Sequence, residues 1–122
     1  MERRRFLRLV RQALAELPSP YRDWLANLDV VVERRPRRHH LHEAGLGPGE
    51  TLFGLYEGVP LTERGSDYGL VLPDKITIFQ EPLERAFPND VDVVEEVRRT
   101  VLHELAHHFG MGDEELERLG LE

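Results

Sequence analysis

The chain has 122 residues, 40% hydrophobic and 32% charged, which excludes a disordered chain and predicts one domain, residues 1–122, with a modest core. It contains no cysteine, so disulfides and thiolate metal ligands are excluded and any metal must be held by nitrogen and oxygen. The net charge of −7 divides unevenly: residues 1–40 carry ten arginines against five acids, +5, and residues 41–122 carry six basic residues against eighteen acids, −12.

Residues 3–17 place Phe6, Val10, Ala13, Leu14 and Leu17 at helical spacing with arginines opposite, so a helix is predicted there, ended by Pro18. A basic amphipathic helix can meet a membrane or a partner, but a stripe facing the core is the expected use. Ser19-Pro20 opens a short second helix that buries Tyr21, Trp24, Leu25 and Leu28. Val30-Val31-Val32 reads as a strand. The run Arg34-Arg35-Pro36-Arg37-Arg38-His39-His40 is expected to be an extended, solvated loop. It has no interleaved aromatics to stack on bases, so nucleic acid is not an expected partner. An acidic partner stays open for this run, as does a loose metal site of His39, His40 and His42.

A turn follows at residues 45–49, then a strand at 52–56 and a polar loop at 61–67. Residues 68–72 and 75–80 flank Pro73-Asp74 as a predicted hairpin, and Ile76 and Ile78 alternate with Thr77 and Phe79 so that each face of the second strand is partly apolar. Residues 82–87 form a helical turn. Nowhere does an apolar run approach a membrane span, and no signal-peptide segment opens the chain, so no membrane contact and a cytoplasmic location are expected.

Pro88-Asn89-Asp90 then caps a long helix whose first turns are rich in acid, as the helix dipole favours. Taking His103 as zero on a helical wheel, Val94, Val101 and Leu105 fall within about 20° of the opposite side. Val91, Val97, Leu102 and Phe109 widen that apolar face, and His108 falls on the buried side. His103, His107, Thr100 and Glu96 face a cleft.

This helix carries His103-Glu104-Leu105-Ala106-His107, the string H-E-x-x-H. Residues four apart lie only about 40° apart around a helix, so the two imidazoles converge and offer half of a tetrahedral zinc site. Glu104 is turned about 100° from His103, beside such a metal, where a general base belongs. Gly110 can stop the helix and let the chain double back, so that Asp113 approaches the histidines as a third ligand. Asp113 also reads as the N-cap of a last helix at residues 114–119.

The full string H-E-x-x-H-x-x-G-x-x-D resembles the extended signature of the zincin metallopeptidases, with aspartate where the metzincin pattern has its third histidine, as in the Asp-zincins. The stretch Gly54-Leu55-Tyr56-Glu57-Gly58-Val59-Pro60-Leu61-Thr62-Glu63-Arg64 also looks like the small bacterial proteins described as minimal zincins. The resemblance covers roughly residues 50–113 and implies an α+β minimal zincin-like fold. Its parts are N-terminal helices, a small mixed β-sheet and the H-E-x-x-H helix. It implies zinc (Zn2+) held by His103, His107 and Asp113, Glu104 as the catalytic base, and a peptide or protein substrate. It also implies that the substrate lies extended along an exposed sheet edge, with residues 75–80 as the expected strand. Nine residues follow Asp113, too few for a metzincin Met-turn, so weak, narrow or partner-dependent hydrolysis is the expectation. Two alternatives stay open: a non-catalytic domain stapled by zinc, and an interaction module whose site is vestigial.

Overall fold

The computed structural model describes residues 1–19, 21–47, 49–58 and 74–108. The expected helices at 3–17 and around 21–28 form as α1 (Arg3–Ala15) and α2 (Tyr21–Trp24), the latter continued by a 3-10 turn, Leu25–Asn27. Phe6, Val10, Ala13 and Leu17 are buried as the spacing predicts, and Leu9 joins them. Tyr21 is buried, while Trp24, Leu25 and Leu28 pack partly buried against the core. Ser19 donates through its hydroxyl to Asp23 (3.1 Å).

Three strands form one mixed sheet: β1 (Asp29–Glu33), β2 (Gly54–Glu57) and β3 (Lys75–Phe79). Their order is β1-β3-β2, with β1 parallel and β2 antiparallel to β3. The expectation that residues 75–80 form an exposed edge is therefore overturned: β3 is the central strand, paired on both sides. The physical reason lies in its burial, because Ile76, Thr77, Ile78 and Phe79 are all fully covered. A strand apolar on both faces belongs in the middle of a covered sheet. Gln80 leaves the strand and opens α4 (Gln80–Ala86). Pro82 sits in its first turn, where a backbone N–H has no acceptor to lose.

The long helix forms as α5 (Asp90–His108). Asn89 accepts the Val93 N–H (3.0 Å) through its carbonyl, and its side-chain amide donates to Asp92 (3.3 Å). Val93, Val94, Val97, Val101, Leu102, Leu105 and Ala106 are buried, most against α1 and the inner residues Ile76 and Ile78 of β3. Val91 does not widen this face: in the first turn it is 76% exposed. Arg5 of α1 pairs with Asp90 at the start of α5 (2.5 Å), and that hydrogen bond, then the carboxylate's charge, raises the arginine's pKa.

A helix replaces the expected loop at the arginine run: α3 (Arg38–Glu43) begins two residues after Pro36. Arg37, its N-cap, is extended (φ −91°, ψ 171°), so the proline restrains only backbone that is not yet helical. His40, buried to 1% exposure, anchors α3 to the sheet, while Arg34, Arg35, Arg37 and Arg38 stay exposed as expected. The expected loop at 61–67, the strand at 68–72 and the last helix at 114–119 lie outside the described residues. No helix among the described residues is long and apolar enough to cross a membrane.

Candidate functional site

Alternation along β2 assigns the faces of the sheet. A Cβ built on Gly54 would lie 2.6 Å from Thr100 Cγ2 of α5 and 3.2 Å from the Thr77 carbonyl oxygen. Gly54 and Tyr56 therefore face α5, and Leu55 and Glu57 face the other way. Only a residue without a side chain lets β2 come this close to α5, one turn before His103. A glycine inside a strand pattern signals such an approach.

At this contact the outer edge of β2 meets the H-E-x-x-H motif. Tyr56 N–H donates to Glu104 Oε2 (3.2 Å). In an antiparallel pair, alternate residues direct their main-chain groups away from the partner strand. Tyr56 is such a residue, and its N–H points outward from the sheet. A hydrogen bond to a carboxylate contributes about 1.5–3 kcal/mol, enough to orient a side chain on the rim of a cleft. Glu104 and His103 are both half-buried. His107 occupies the last turn of α5, four residues beyond His103, with helical backbone throughout. Of the four predicted site residues, the structure thus brings Glu104 to the sheet edge and puts His103 and His107 on one continuous helix. Asp113 lies outside the described residues, as do Phe109, Gly110 and the side chains of His107 and His108. A cleft of about 390 Å³ beside α4, bordered by Arg3, Arg34, Gln80, Glu81 and Glu84, includes none of them.

The opposite face of the sheet holds a second group. His39, His40 and Glu57 place their ligand atoms within 4.8 Å of one another. Nε2 of His40 lies 3.3 Å from Glu57 Oε1 and 3.5 Å from Glu33 Oε2. His39 Nε2 lies 4.0 Å from Glu57 Oε2, and the two imidazole rings are 3.9 Å apart. Phe79 meets the His40 ring edge-on at 4.9 Å, and Thr77 Oγ1 donates to Glu57 Oε1 (3.3 Å). The Arg37 N–H donates to His40 Nδ1 (2.9 Å), supplying an acceptor for a first-turn N–H of α3. His42, the third histidine of the loose site the sequence left open, is exposed and outside the group. Glu33 and Glu57 had no local signal: each ends a strand, and only sheet pairing and α3 bring them together.

A family model described as zincin-like metallopeptidase matches residues 25–121. The chain is also similar to a solved structure titled a conserved hypothetical protein, from Thermo thermophilus. The two share 26% identity with a TM-score of 0.57, over 88% of this chain and 94% of that one. No protein of curated function matches.

Proposed function

The chain belongs to the zincin-like metallopeptidases, and from that membership we propose that it is a zinc-dependent peptidase in which Glu104 is the general base. The observation that carries this reading is the Tyr56 N–H held by Glu104 Oε2 at the outer edge of β2. It sets the general-base carboxylate of the motif beside a strand edge along which an extended peptide can lie.

The donor set fits zinc. His103 and His107 lie one turn apart on the uninterrupted α5 helix, Asp113 supplies a carboxylate, and a cysteine-free chain leaves nitrogen and oxygen as ligands. In this reading those three residues hold the metal. Zinc, when bound, supplies a Lewis acid that polarises a peptide carbonyl and acidifies water. The work of this chain is proton handling and alignment. The Glu104 carboxylate takes the proton from the attacking water and returns it to the leaving amine nitrogen. The outward main-chain groups of Gly54 offer pairing positions to a peptide added at the β2 edge. Among the described residues no strand occupies that edge.

Glu104→Gln tests the proposal, because it keeps the shape and a hydrogen-bond acceptor for Tyr56 while removing the base. The zinc-loaded variant should lose about 10²–10⁴-fold in hydrolysis of a fluorogenic peptide library and keep its zinc affinity. Hydrolysis at the wild-type rate would contradict the role of Glu104. A wild type that binds zinc and cleaves nothing would leave the metal and remove the peptidase.

A further inference from the structure

We propose that His39, His40 and Glu57, with Glu33 beside His40, form a second divalent-cation site, on the face of the sheet opposite α5, which clips α3 to β1 and β2. The proposal stands apart from the peptidase reading, since none of these residues belongs to the H-E-x-x-H motif.

Distances are the first argument. Ligand atoms about 2.1 Å from a tetrahedral metal lie about 3.4 Å from one another. The His40 Nε2 separations, 3.3 Å to Glu57 and 3.5 Å to Glu33, match that edge. Both are longer than the about 2.7–2.9 Å of a charge-assisted N–H···O hydrogen bond. His39 Nε2, at 4.0 Å from Glu57 Oε2, reaches the same spacing by a small turn of a half-exposed side chain.

The second argument is the donor set. Two imidazoles and two carboxylates suit zinc or a neighbouring first-row dication. Support comes from around them: the Thr77 hydroxyl orients Glu57, and Phe79 walls the His40 ring. Such supporting contacts commonly orient metal ligands.

The Arg37 N–H gives the proposal a specific consequence. Nδ1 of His40 accepts that N–H, so a ring proton belongs on Nε2, beside the carboxylates. A dication takes the position of that proton. The ring then carries its proton on Nδ1, and the Arg37 N–H turns to water. One hydrogen bond at the start of α3 is exchanged for coordination by the side chains of the site.

The experiment titrates zinc into the His103→Ala/His107→Ala protein, which removes the α5 histidines. One equivalent should bind, raise the melting temperature and move the Arg37 amide resonance. Cobalt in its place should give the visible absorption of a tetrahedral N2O2 site. Adding His39→Ala and Glu57→Gln should weaken binding at least tenfold, and circular dichroism checks that the fold persists. His39→Ala alone, at a half-exposed position, is the second variant should the combined one unfold, and it too should weaken binding. No zinc bound by the His103→Ala/His107→Ala protein would overturn the site. So would binding unaffected by His39→Ala, or an Arg37 amide that does not move on saturation.

Discussion

The two faces of the sheet hold their histidines by different physics. On one face, His103 and His107 ride on a 19-residue helix fixed by a row of buried apolar side chains from Val93 to Ala106. On the other, His39 and His40 ride on six residues anchored largely by one buried imidazole and the carboxylates around it. Apolar burial positions the first pair whatever the state of its polar groups. The second pair depends on polar partners that are themselves ligand candidates. A metal on α5 would thus meet a rigid frame, whereas a metal at α3 would complete the frame it occupies.

Three substitutions sharpen this contrast. Leu105 is fully buried on the side of α5 away from His103, and Leu105→Ala should lower stability by about 2–5 kcal/mol in a denaturant melt. Gly54→Ala forces a Cβ to within 2.6 Å of Thr100 Cγ2. It should destabilise by about 1–3 kcal/mol and speed hydrogen exchange at the Tyr56 amide, as β2 moves off Glu104. His39→Ala, on the exposed side of α3, should change metal-free stability by less than about 0.5 kcal/mol. If Gly54→Ala is silent in both readouts, the close approach of β2 to α5 does not position Glu104. If His39→Ala destabilises as much as Leu105→Ala, the two faces are not held differently.

What was legible in the sequence follows the same division. The helical period placed Val94, Val101 and Leu105 opposite His103, and the structure agrees because period and burial act on one element. The period failed at Val91, which lies about 60° from the centre of that face and is exposed in the first turn. The expectation of an edge at residues 75–80 rests on the family resemblance and not on the spacing of residues, and the pairing of β3 on both sides overturns it. Apolar residues on both faces of Ile76–Phe79 already marked it as central. The helix at α3 was masked by its arginines and by Pro36, whose influence ends at the extended Arg37. The meeting of His40 with Glu33 and Glu57 spans three elements, so no local spacing could announce it.

The most direct test of the α5 reading is calorimetric titration of zinc into metal-stripped protein, wild type beside Asp113→Ala. The account predicts a tight binding event in the wild type that weakens at least tenfold when the Asp113 carboxylate is removed. Zinc binding in which no event is weakened by that substitution, or no binding in the wild type, would contradict the assignment of His103, His107 and Asp113 as a zinc site.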